Sequence, residues 1–95
     1  MAKSIISNEK KCYFCGSPNN LHRHHIFYGR GVRQLSEKFG CWVYLCAYHH
    51  NLSNFSVHSN RLADEGLKKY CQSEFETKYR VTREEFIDIF GRSYL

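Results

Sequence analysis

The sequence predicts a small α+β domain stapled by a metal ion, and three observations lead there. Two short knuckles, Cys12-Tyr-Phe-Cys15 and Cys46-Ala-Tyr-His49, are separated by thirty residues. The intervening chain holds two segments that read as the strands of a hairpin. From Ser59 onward the apolar residues change to helical spacing. A chain of 95 residues is one small domain, residues 1–95. A domain of that size buries so little of its surface that it often needs a staple.

Each element follows from its composition. Residues 1–11 are polar and expected to be a flexible start. The first knuckle is followed by Gly16-Ser-Pro-Asn-Asn20, whose composition demands a turn. Leu21 to Tyr28 is expected to be extended up to the Gly29-Arg30-Gly31 break, with a helical turn over Arg33 to Phe39. Trp42 to Leu45, aromatic and β-branched, supplies the second strand and runs straight into the second knuckle. Residues 12–58 thus form a core and residues 59–95 a helical tail. In the tail Leu62, Ala63, Leu67, Tyr70, Cys71, Phe75 and Tyr79 share one face. Thr82-Arg-Glu-Glu85 is a capping box opening a second helix through Phe86, Ile87, Ile89 and Phe90, and Gly91 suits its end.

The cysteines and the charge narrow the class. Five cysteines cannot all pair internally, and no apolar leader points to secretion, so a reducing compartment is expected. In such a compartment Cys12, Cys15, Cys46 and His49 have the donor types and spacing of a tetrahedral structural zinc site. Cys41 and Cys71 are left as small core residues. Residues 1–47 carry seven basic side chains and only Glu9 and Glu37 as acids, while residues 48–95 carry seven of each. The whole net charge of +5 therefore lies in the first half, and a local basic excess favours polyanions such as DNA. Arg23, Arg30 and Arg33 are the candidate phosphate contacts. No apolar run approaches the roughly 18 residues of a membrane span.

The histidines carry the remaining chemistry. His24-His25 lies on the first strand, His50 follows the second knuckle, and His58 stands at the entrance to the long helix; His22 reads as a surface residue. The order Cys12-x-x-Cys15, His24-His25-Ile26, Leu45-Cys46-x-x-His49-His50-Asn51, Val57-His58 resembles the HNH endonuclease family, closest to its small phage-type members. The resemblance implies a ββα-metal, treble-clef-like core stapled by zinc, with the C-terminal helices packed on it. It implies that His25 is the general base and that His24 and His50 bind a catalytic divalent ion. His58 is the favoured third ligand, with Asn54 and Asn51 as alternates. Imidazole ligands leave Mg²⁺, Mn²⁺, Ni²⁺ and Zn²⁺ open as that ion. The implied activity is hydrolysis of DNA phosphodiester bonds, as an endonuclease or nickase leaving 5′-phosphate and 3′-hydroxyl ends. The implied setting is the cytoplasm of a phage-infected or prophage-bearing bacterial cell, with packaging proteins or a second copy of the chain as further partners.

One departure stands out. The family's central Asn is missing from Phe27 to Leu45, where Gln34 is the lone amide; either Gln34 or a backbone carbonyl would have to hold the His25 ring. The rival expectation is a zinc-stapled nucleic-acid-binding or phage packaging adaptor module without catalysis, which leaves His25 and the second histidine cluster without a task.

Overall fold

The computed structural model describes residues 3–52 and 56–95, and only the backbone of Asn51 and Leu52. Strand β1, Leu21–His25, pairs antiparallel with β2, Trp42–Cys46, with Leu21 opposite Cys46, His24 opposite Val43 and His25 opposite Trp42. Strand alternation places His22 and His24 on one face of this ribbon and Arg23 and His25 on the other. A two-stranded ribbon is marginal by itself. Here the knuckles and three helices lean on it: α1, Arg33–Phe39; α2, Arg61–Tyr79; and α3, Arg83–Phe90. The result is a small α+β architecture, and no helix is long and apolar enough to cross a membrane among the described residues.

β1 is shorter than its sequence suggests. Ile26 and Phe27 are fully buried and leave the ribbon to enter the core, where Phe27 meets Phe86 and Phe90 at ring-centroid distances of 5.3 and 4.7 Å. Phe75 and Phe39 extend the same edge-to-face cluster, an arrangement that aromatic quadrupoles favour. Ser36 fixes α1 to this turn. Its hydroxyl accepts from the Phe27 N–H at 3.0 Å and donates to the Phe27 carbonyl, with the whole group buried. A helix of only seven residues is marginal by propensity, so this tie and its glycine terminator set where α1 lies. Gly40 takes φ 77° and returns its N–H to the Ser36 carbonyl.

Within the opening segment, expected to be flexible, residues 4–8 are held down. The Ser4 hydroxyl donates to the Trp42 carbonyl and the Ile5 N–H to the Gly40 carbonyl, while Asn8 bonds back to Ser4. Residues 4–8 thus form a strap at the start of β2, held by one backbone bond and by the Ser4 and Asn8 side chains, contacts that composition does not reveal.

The helical tail follows its periodicity with two adjustments. Helical spacing sets in from Ser59, and helix α2 itself starts at Arg61, capped by Asn60, whose side chain accepts from the Ala63 N–H. Its buried face is Leu67, Cys71, Gln72 and Phe75, whereas Leu62 is 82% exposed and Tyr70 is also exposed. Gln72 is tolerated inside because every polar atom is paired. Its amide donates to Glu76 and Ser93 and its oxygen accepts from the Tyr94 N–H at 2.7 Å, which pins the chain's last residues to α2. At α3 the capping box is complete: Thr82 accepts from the Glu85 N–H and Glu85 accepts from the Thr82 N–H. Cys41 and Cys71 are both fully buried.

Candidate metal centres and active site

The ribbon carries the two knuckles at one end. The first docks on β2 through Tyr13 N–H to the Tyr44 carbonyl and closes its own turn through Gly16 N–H to the Cys12 carbonyl, both 2.8 Å. The second begins at Cys46 and continues into a π-helical turn, Tyr48–Leu52. Cys12, Cys15, Cys46 and His49 are thereby gathered so that their donor atoms all lie within 4.8 Å of one another. The spacings are compatible with a shared metal ion. Cys15 and Cys46 sulfurs are 3.8 Å apart, and His49 Nδ1 lies 3.3 Å from the Cys46 sulfur and 3.7 Å from that of Cys12. A tetrahedral zinc, with bonds of about 2.3 Å to sulfur and about 2.0 Å to nitrogen, sets S···S at about 3.8 Å and S···N at about 3.5 Å. The chemistry of the donors agrees. Burial alone would raise the Cys12 pKa, but the amides of Cys46, Cys15 and Phe14 outweigh it and hold the thiol below its ordinary value. That favours the thiolate a metal needs. The cluster could hold a metal such as zinc.

The second cluster forms on the His22/His24 face. His50 comes from the π-helical turn, and His58 from the turn at residues 56–59 before α2. Val57 anchors that turn, buried and donating its N–H to the His49 carbonyl at 2.7 Å. One ring nitrogen each from His24, His50 and His58 lies within 4.8 Å of the others, with His50 and His58 Nε2 atoms 3.1 Å apart. His24 is the least ordinary of the three. It is 1% exposed, yet its Nε2 has no hydrogen-bond partner among the described residues. An unpaired buried polar atom costs about 1–3 kcal/mol, so a nitrogen left in this state beside two further imidazoles has the character of a ligand position. Burial, then the neighbouring His50 and His58, push the His24 pKa down to about 3. Burial with His58, His22 and Arg33 lowers His50 to about 4. Both rings are neutral at neutral pH, the state in which imidazole binds metal. His22, read from sequence as a surface residue, faces His50 across 2.9 Å between Nδ1 atoms. Asn54 lies outside the described residues, as does the side chain of Asn51.

His25 points to the opposite face of β1, and a pocket of about 460 Å³ is lined by both sets: His24, His50 and His58 with His25, Arg23, Arg33, Tyr28 and Gly29. Neither Gln34 nor a carbonyl holds the His25 ring in the described contacts. Its Nε2 lies 3.3 Å from Glu37 Oε1, and its Nδ1 accepts from Arg33 Nε–H at 3.4 Å. Glu37 also accepts from Arg23 at 2.9 and 3.0 Å. Partial burial would raise the Glu37 pKa, but the bonds from His25 and Arg23 outweigh it and keep the carboxyl below its usual range. Glu37 was not singled out from sequence, although it is one of only two acids in the basic half. That isolation was the available signal.

The three arginines differ. Arg23 is committed internally, paired with Glu37 and stacked 3.9 Å over the Trp42 ring. Arg33 lines the pocket, and Arg30 is exposed on the loop beside it. Tyr28 backs the histidine cluster, its ring centroid 5.4 Å from that of His58, and Lys68 Nζ lies over the Tyr28 ring, 4.2 Å from its centroid. Compared with protein-family models, curated proteins and solved structures, the chain has no match. The molecule is thus defined by its own geometry: a small α+β domain that, among the described residues, gathers a cluster of three cysteines with one histidine and a cluster of three histidines at one hairpin, the second opening onto a pocket that Arg33 also lines.

Proposed function

We propose that this protein is a metal-dependent endonuclease of the HNH type that hydrolyses DNA phosphodiester bonds. One observation carries the reading: a buried His24 nitrogen without a partner among the described residues lies with His50 and His58 at the same pocket that His25 lines. The hairpin, the knuckle and the following helix α2 then correspond to a ββα-metal core. A zinc at Cys12, Cys15, Cys46 and His49 would hold the hairpin against the turn that carries His50. A closed shell of this kind has no open position for chemistry. His24, His50 and His58 would hold the second, catalytic ion.

A divalent ion bound there supplies charge stabilisation at the phosphate and the departing oxygen. The chain's own residues do the rest. His25 takes a proton from a water molecule, whose oxygen forms the new bond to phosphorus. The bond from phosphorus to the 3′-oxygen breaks, and that oxygen takes a proton from solvent, leaving 5′-phosphate and 3′-hydroxyl ends. Arg33 and Arg30 offer contacts to the DNA backbone, where fixed positive charge gives position without sequence preference. One site cuts one strand, so a double-strand break calls for a second copy of the chain or another partner, such as a packaging protein in a phage-infected cell's cytoplasm.

Nicking of supercoiled plasmid with added Mg²⁺, Mn²⁺, Ni²⁺ or Zn²⁺ tests the reading. Wild type should convert plasmid to nicked circles with at least one ion, and His25→Ala should slow this by about a hundredfold or more. Absence of metal-dependent cleavage with every ion, or equal cutting by His25→Ala, overturns it. DNA binding retained without cleavage would point to the binding-module alternative.

A further inference from the structure

We propose that Glu37 is a positioning residue that fixes both the direction and the tautomer of the His25 ring, taking the role left vacant by the family's missing Asn. The proposal rests on the nuclease reading for its purpose, but its geometry stands alone. Two neighbours of opposite hydrogen-bonding character hold the ring from its two ends. A carboxylate only accepts, so the bond between Glu37 Oε1 and His25 Nε2 places the ring proton on Nε2. A guanidinium only donates, so the bond from Arg33 Nε–H requires a lone pair on His25 Nδ1. Both constraints select the same neutral tautomer, with Nε2–H toward Glu37 and a basic Nδ1 on the side of Arg33. A general base needs that lone pair, so Arg33 must release it before a water can donate there, and the other tautomer would present a proton where the water must give one up.

Glu37 is itself held in place. Arg23 donates to both of its oxygens and is clamped in turn over Trp42, the residue opposite His25 in the ribbon. Helix α1 is anchored one residue earlier by buried Ser36, bonded to both backbone groups of Phe27. The carboxylate thus sits on a short helix whose position is set by the chain leaving β1. Twelve residues of sequence separate it from the ring it orients, which is why no local motif marks it.

The experiment is nitrogen-15 NMR of the histidine rings at mildly alkaline pH, paired with nicking rates. Wild type should show His25 with a pyrrole-like Nε2 and a pyridine-like Nδ1. Arg33→Ala should keep that single tautomer and Arg33→Ala/Glu37→Ala should show both, while Glu37→Ala alone should lower kcat by about a hundredfold and change KM by less than about threefold. In a His25→Ala background the same substitution should have no further effect on rate. Glu37→Gln keeps the shape while offering both a donor and an acceptor, so in the Arg33→Ala background it too should populate both tautomers; it serves if Glu37→Ala fails to fold. A single Nε2–H tautomer persisting in the folded double variant overturns the proposal. So does a rate loss of equal size with and without His25. If wild type cuts no DNA, the nuclease reading fails, while the tautomer measurement still decides whether Glu37 sets the ring.

Discussion

His22 Nδ1 and His50 Nδ1 lie 2.9 Å apart, so one ring donates a proton to the other. Since the Nε2 atom of His50 faces His58 at 3.1 Å, a metal held on that side requires the His50 proton to reside on Nδ1. His22 then accepts it and fixes the ring. Replacing such an outer partner weakens metal binding by about 10–100-fold. His22→Ala should therefore raise the Kd for Ni²⁺ or Co²⁺ at the histidine cluster by at least about tenfold in calorimetry. An unchanged affinity would mean that His22 is a bystander.

The cysteine cluster should carry much of the fold's stability. Its knuckles enclose the hairpin, and the ribbon has no other cross-link among the described residues. Structural zinc sites bind with apparent free energies of about 10 kcal/mol or more, coupled to folding. Cys12→Ser should lose the bound zinc counted by mass spectrometry and lose dispersion in the amide NMR spectrum. Zinc loss with an intact spectrum would contradict the structural assignment.

Acid should weaken the protein through His24 when the histidine cluster is free of metal. Its folded pKa is depressed to about 3, below the unfolded value of about 6.5. As pH falls below that unfolded value, the unfolded chain takes up a proton that buried His24 refuses. Stability is thus complete above about pH 6.5 and is lost progressively toward the folded pKa. Between pH 7 and 5 the loss should be about 2 kcal/mol. It is read as the difference in urea midpoints between wild type and His24→Phe, a comparison that cancels the pH dependence of the zinc site. Parallel pH profiles for the two proteins would refute it.

Gly40 should tolerate no side chain. Its φ of 77° suits glycine, and an added Cβ would collide with the Lys3 carbonyl oxygen. Gly40→Ala should cost about 2 kcal/mol and release the strap at residues 4–8, seen as faster amide exchange at Ile5. Thermal denaturation matching wild type would show that the strap is not needed.

The sequence alone determined whatever is encoded locally. Knuckle spacing brings Cys12 to Cys15 and Cys46 to His49, alternation sends His24 and His25 to opposite faces, and helical periodicity with the Thr82–Glu85 box lays out the tail. These features depend on neighbours within a turn or a strand, so composition and spacing reveal them. The tertiary structure decided what depends on long-range approach. It brought His58 to His24 through the Val57 anchor, turned His22 from a surface residue into a partner of His50, and placed Glu37 against His25. It also took Arg23 out of the set of free cations by stacking it on Trp42 and pairing it with Glu37. No periodicity records such contacts, because each is set by where α1, the π-helical turn and the α2 entry settle around the ribbon.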